Sequence, residues 1–184
     1  VTSSTFSGVN PRTGNFYVYL ETLGGGFGAR ASKDGLDGVQ VHITNTSNLP
    51  VEGLESEYPL RVERYELERD SGGCGKWRGG MGFRRQIRAL HDDCRVSMRG
   101  TRVSSAPWGL FGGHDGGRYR VEADAGVAPF KLSNGVLNAG QSIAIVTPGS
   151  GGYGAPQERD LDLVRRDLRE DRISAQVARE VYGL

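Results

Sequence analysis

No apolar run in the sequence approaches the ~20 residues that a membrane-spanning helix needs. No block of lysine and arginine occurs either: 23 basic residues are interspersed with 22 acidic ones, for a net charge of +1. That pattern offers no footprint for a phosphate backbone and speaks against nucleic acid as a partner. Cysteine is scarce, with only Cys74 and Cys94. Two thiols make no disulfide framework, so a reducing, cytoplasmic setting is expected. The basic and apolar stretches of a secretory signal are missing from the first residues. The first residue is Val1, within what reads as loop and strand. The expectation is therefore a processed chain or a segment of a longer one. Apolar residues are also few, at 36%.

Glycine fills the gap: 29 of 184 residues, roughly twice the usual share. Without a repeat, that many glycines imply many tight turns and a loop-rich, β-rich fold. Period-two patterns support this. "GNFYVYLETL" (14–23) reads as a strand, and "GVQVHITNT" (38–46) alternates Val39, Val41 and Ile43 against Gln40, His42 and Thr44. "LRVERYELER" (60–69) alternates with a one-residue slip that fits a β-bulge. "FRRQIRAL" and "CRVSMRG" read as a strand pair around the turn "HDD", and "RYRVEAD" and "QSIAIVTP" supply two more strands. The tail is different. Leu161, Val164 and Leu168 form a helical stripe, then Ser174 stands as an N-cap and Gly183 as a C-cap. The expected fold is mainly β (α+β): a glycine-rich antiparallel β domain of six or seven strands over residues 1–158, with two short helices at 159–184 packing on it.

Single motifs exclude more than they establish. "TPGSGGYGAP" (147–156) holds a G-x-G-x-x-G at Gly149, Gly151 and Gly154. A dinucleotide loop needs a helix starting within the turn, and here Pro156 intervenes and periodicity resumes only near Asp160. "GGGFGA" (24–29) runs into turn residues instead of a helix. Around Gly75-Lys76, Trp77 stands where a P-loop has Ser or Thr. Cys74, His91, Cys94 and His114 lack the paired spacing of a zinc site and read as a buried cysteine with loop histidines. No G-x-S-x-G occurs. Glu21, Glu52 and Glu55 are the best acid/base carboxylates, each also able to cap a turn or pair with an arginine such as Arg30 or Arg61. His42 lies among Thr44, Asn45 and Thr46, a polar, hydrogen-bonding neighbourhood.

The order of phrases is more specific than any motif. "YLETLGGGFGARASKDGLDGVQVHITNTSNLPVEGLESEYPLRVERYELERDSGGCGKWRGGMG" (19–82) resembles the carboxyl-terminal part of the hydantoinase B/5-oxoprolinase family. "PWGLFGG" (107–113), "TPGSGGYGAP" and "ISAQVAREVYG" resemble that family's later phrases in the same order. The resemblance covers essentially the whole chain and implies the last third of a longer subunit. It implies ATP-dependent opening of a cyclic amide, as in hydantoin or 5-oxoproline hydrolysis, by activation of a carbonyl oxygen. ATP and magnesium are then expected on a hydantoinase A-type partner, and a divalent metal (zinc or manganese) in the amino-terminal portion of the subunit. A related alternative is a subunit of an acetone- or acetophenone-type carboxylase acting on a ketone. A third is a noncatalytic assembly domain of such a complex. His42, Asn45, Glu52 and Glu55 match family-typical positions and are the expected catalytic residues. Departures from the family pattern are Ser150 for glycine, Ala155 for aspartate, and Gln40 for histidine.

Overall fold

The structure is a computed structural model and describes residues 2–41, 44–124 and 134–184. It contains two four-stranded antiparallel sheets. One has the order β2-β1-β5-β7, from β1 (Thr2–Val9), β2 (Phe16–Leu23), β5 (Cys94–Arg99) and β7 (Gly135–Leu137). The other has the order β3-β4-β8-β6, from β3 (Leu60–Leu67), β4 (Phe83–Ala89), β8 (Ser142–Val146) and β6 (Arg120–Ala123). Helix α1 (Val51–Glu57) precedes β3, and α2 (Leu161–Arg169) and α3 (Ala175–Glu180) close the chain. The mainly β class expected from the sequence is what the structure has. One core joins the sheets: Phe6, Tyr19, Leu23, Val96 and Met98 of the first meet Phe83, Ile87, Ile143 and Ile145 of the second. Each set comes from alternate positions of its strands, the geometry of a sandwich.

Three local features differ from the sequence expectation. β4 and β5 are consecutive but lie in different sheets, so residues 90–93 cross the sandwich and form no hairpin turn. Both strands bury alternate residues, a pattern that suits one sheet or two opposed sheets equally well. Residues 38–41 and 44–46 form no strand. Val39 makes one bridge to Gly25, and the polar side chains beyond it bond to β2 instead of building a ladder. Helix α1 carries no clear sequence signal: it is short, contains Gly53, and buries only Leu54. The bulge in β3 falls where the slip placed it, between Val62 and Arg64.

The glycine phrases converge. Segments 24–28, 72–82, 109–117 and 148–154 lie against one another, hydrogen-bonded across as Gly26 N–H to Pro148 O, Gly80 N–H to Phe27 O, Gly73 N–H to Ser150 O and Gly152 N–H to His114 O. Side chains would not fit between them: a Cβ on Gly79 would stand 1.9 Å from Ser150 O. The tail docks on this layer. Asp160 caps α2 by accepting from Asp162 N–H, and Ser174 caps α3 by accepting from Val177 N–H. Val164, Ile173, Ala178 and Tyr182 form the tail's own core against Cys74. Leu161 stays exposed, so the buried stripe begins at Val164.

Candidate functional site

Beneath the tail the glycine layer holds buried charge. Arg159 grips Asp34 with both nitrogens, at 2.7 and 2.8 Å, and donates to Asp167 at 2.6 Å. Arg78 reaches Asp37 at 3.1 Å and stands 3.5 Å from Asp167, while Arg172 also pairs with Asp37. Burial pushes the Asp34 carboxyl up, but the hydrogen bonds and charges of Arg159 and Arg78 outweigh it and hold the group below its ordinary value. Glu122, on the open face, is held at about 2 by Arg84, against a partial burial effect, with Arg120 adding to the pull. A carboxyl whose folded pKa is depressed adds stability above its unfolded pKa and loses it as pH falls through the folded value. Urea midpoints measured from pH 7 downward are therefore expected to fall from about pH 4 toward about pH 2. Asp34→Asn should flatten that acid limb, and an equally steep limb in the variant would remove Asp34 from the account.

The centre of this network, Arg78, Arg159 and Asp167, is closed to a ligand, and so is much of the glycine loop. The N–H groups of Ser150, Gly152, Tyr153 and Gly154 already donate to Gly80, His114, Trp77 and Leu110. A phosphate cradle needs those donors free, so residues 149–154 do not fit a nucleotide. The cysteines are unreactive in their settings. Burial pushes the Cys74 thiol up, with Tyr182 only partly opposing it, and burial likewise raises Cys94. Both are protonated at neutral pH, the wrong state for attack or metal binding. His91 is buried, unlike the loop histidine expected. Its Nδ1 donates to Asp92 O at 2.6 Å, which leaves Nε2 to accept from Tyr17 Oη at 2.7 Å. Among the described residues no group of three or more His, Cys, Asp or Glu is placed to hold a metal ion.

The open chemistry lies at the end of β2. A cleft of about 590 Å³ has residues 18–22 as one wall and residues 46–50 with Tyr58 as the other. A smaller one, about 320 Å³, lies across the same segment, between residues 24–26, residues 39–41 and Thr44. The segment between them is held by a polar lattice centred on Thr22. Gln40 Nε2 and Asn48 Nδ2 donate to its carbonyl at 3.1 and 2.9 Å, Thr46 Oγ1 donates to Gln40 at 2.7 Å, and Tyr65 Oη donates to Asn48 at 2.9 Å. At the base, Glu21 accepts from Leu49 N–H at 3.2 Å and pairs with buried Arg85, Nε to Oε2 2.9 Å. Arg85 in turn stacks its guanidinium on the Tyr65 ring, 4.5 Å from the centroid. Burial raises the Tyr19 phenol, Glu21 adds to that and Arg85 opposes it. Tyr19 therefore stays a neutral hydroxyl beside the carboxylate.

Of the expected residues, His42 lies outside the described residues. Asn45 is exposed in the segment between the two clefts, flanked by Thr44 and Thr46. Glu52 is exposed in the first turn of α1. Glu55 is occupied: its Oε1 accepts from Val62 N–H at 2.9 Å, at the bulge of β3. Glu21 pairs with Arg85 rather than with Arg30 or Arg61. Arg85 escaped sequence reasoning, although an arginine on the inward parity of "FRRQIRA", shared with Phe83, Ile87 and Ala89, is itself a signal of a buried pair.

The family profile described as Hydantoinase B/oxoprolinase matches residues 1–156. The B component of a putative D-/L-hydantoinase from a Pseudomonas species is 38% identical over 176 residues, 92% of this chain and 30% of the relative. Among solved structures, the ATP-dependent caprolactamase of Pseudomonas jessenii superposes with a TM-score of 0.80 at 28% identity, covering 98% of this chain and 33% of that one. An acetone carboxylase solved without nucleotide shares the fold, with a TM-score of 0.83 at 22% identity over 100% of this chain and 29% of that one. The chain thus spans about 30% of the length of the curated relatives it matches first.

Proposed function

The chain belongs to the Hydantoinase B/oxoprolinase family, and from that premise we propose that it is the carboxyl-terminal part of an ATP-dependent subunit that opens a cyclic amide. The observation that carries this reading is the family match over 156 residues, together with the 28% identity to a caprolactamase across nearly the whole chain. Its β domain is residues 1–158, and residues 159–184 are a helical tail clamped to it by the Arg159–Asp34 and Arg78–Asp167 pairs. Nucleotide and magnesium belong on a hydantoinase A-type partner, consistent with a glycine loop in which the N–H groups of Ser150, Gly152, Tyr153 and Gly154 are spent on neighbouring backbone. The divalent metal belongs to the portion of the subunit that the relatives carry beyond this length.

Within this chain the contribution is binding and orientation. Asn45 sits on the segment between the two clefts, His42 precedes it by three positions in the sequence, and Glu52 follows on α1. A carboxamide both donates and accepts, which suits Asn45 to a ring amide that presents N–H and C=O side by side. Glu55 holds α1 to the β3 bulge and acts through position rather than contact. In the assembled enzyme, His42→Ala and Asn45→Ala should each lower turnover at least about tenfold with the melting temperature unchanged. Wild-type rates in both variants would remove the site from this segment. The reaction class is read separately. ATP hydrolysis by the assembly should rise with a hydantoin, 5-oxoproline or a lactam. Bicarbonate-dependent consumption of a ketone, without that rise, would replace the hydrolase by a carboxylase.

A further inference from the structure

We propose that the open edge of β2 receives an extended strand from the portion of the subunit that lies outside this chain. Among the described residues β2 is an edge strand of its sheet, eight residues long and paired with β1 alone. The carbonyl of Thr22 takes side-chain donors from Gln40 and Asn48, so it points away from β1. In an antiparallel ladder residues two apart point the same way. The N–H and C=O groups of Phe16, Val18 and Leu20 therefore face the same open edge, and no backbone bond outside the sheet uses them among the described residues.

The side chains of those residues argue that this edge is meant to be covered. Phe16, Val18 and Leu20 are 66%, 55% and 63% exposed on the outer face. Val9 continues the patch, since it pairs with Phe16 and is likewise exposed. Soluble proteins blunt free edges with charge, proline or short length. The other edges here obey that rule: β3 carries Arg61, Glu63, Arg64 and Glu66, β6 carries Arg120 and Glu122, and β7 has three residues. β2 has no charge on its outer face, because its single ionised residue, Glu21, turns inward to Arg85. The cleft of about 590 Å³ runs beside residues 18–22 and gives an added strand its lane.

The occupant follows from length. The curated relatives matched first are about three times as long as the stretch they share with this chain. An edge of this kind within a longer subunit is most economically filled by that subunit's own backbone, which arrives at high effective concentration. The inserted strand would add main-chain bonds to Val18 and Leu20 and lay apolar side chains beside theirs, the pattern of β-augmentation. The inference rests on the chain working within a longer subunit, not on which substrate that subunit takes.

Hydrogen exchange tests it on the assembly isolated from the native host, compared with the 184-residue chain alone. The amides of Val18 and Leu20 are expected to exchange about a hundredfold more slowly in the assembly. A photo-reactive residue at position 18 is expected to cross-link to the upstream portion of the same subunit. Equal exchange in the two samples would overturn the proposal. So would a cross-link to a hydantoinase A-type chain, or protection of the lone chain that grows with its concentration, which would mean a second copy. Cyclic-amide-stimulated ATP hydrolysis measured on the same assembly separates a failure of this edge from a failure of the functional reading.

Discussion

Asp167→Ala is expected to destabilise the chain by about 3–5 kcal/mol, read as a large drop in the urea midpoint. Asp167 is fully buried, as is Arg159, and Arg78 is nearly so. Three carboxylates, Asp34, Asp37 and Asp167, face the guanidiniums of Arg78, Arg159 and Arg172, with the more exposed Arg166 3.7 Å from Asp34. Removing one acid leaves a net positive charge in a site from which water is excluded, and the desolvation already spent on the arginines is no longer compensated. Arg78 keeps Asp37 and Arg159 keeps Asp34, so the network weakens without falling apart. Asp167→Asn distinguishes charge from shape. It preserves volume and an acceptor for Arg159 but removes the charge, and it should recover only a minor part of the loss. Because these pairs join the tail to the β domain, proteolysis should release residues after 159 first. A midpoint within experimental error of wild type for Asp167→Ala would mean that the pairs merely accompany apolar docking. By contrast, Arg165→Ala, at a pair with both partners exposed, should leave the midpoint unchanged within error.

This network was invisible in the sequence, and the reason is physical. Asp34 and Arg159 are separated by 125 residues, and Arg172 and Asp37 by 135. Where charges occur, both signs are interspersed, so nothing local distinguishes a partner from a solvated residue. Strand-like runs did locate β2, β3, β4, β5, β6 and β8; β2, β4 and β5 write their parity into alternate residues, whereas β8 is buried at every position. Parity could not say that β4 and β5 face each other across the core, since burial on one side looks the same from either sheet. The N-cap at Ser174 was legible because capping is local chemistry; the C-cap falls at Val181, and Gly183 follows with a positive φ, its N–H bonded to Arg179 O. Residues 38–41 and 44–46 misled for the converse reason. Their alternation is real, but Gln40, Thr46 and Asn48 spend their polar groups on Thr22 and Tyr65, outcompeting a ladder. The polar neighbourhood of Asn45 was legible as composition. That Glu21 and Arg85 form the base of its cleft required the fold.

Gly149→Ala is expected to abolish the folded chain, with a cost on the order of 4 kcal/mol or more. A Cβ at position 149 would lie 1.7 Å from Ser71 O and 2.4 Å from its carbonyl carbon. Those are backbone atoms, which cannot rotate aside as a side chain does. They also belong to a turn that donates Ser71 Oγ–H to Glu68 O at 2.6 Å and accepts Gly117 N–H at Ser71 O at 2.7 Å. Relief would require moving both, and through them the neighbouring segments of the layer. The left-handed conformation is not the cause, because Gly149 is not among the residues of positive φ. Gly28 supplies the control. It belongs to the glycine-rich run 24–28, has open space where its Cβ would go, and has no positive φ. Gly28→Ala should therefore be neutral or slightly stabilising, by up to about 1 kcal/mol, through loss of unfolded-state freedom. The pair separates two reasons for a glycine-rich sequence. If the layer needs flexibility, both substitutions should hurt alike. If it needs backbone-to-backbone contact, thermal melting and protease resistance should collapse for Gly149→Ala alone. A Gly149→Ala chain that melts with wild type would show that the segments can separate. It would also reopen the N–H groups of Ser150, Gly152, Tyr153 and Gly154 to a phosphate, the reading that their present hydrogen bonds oppose.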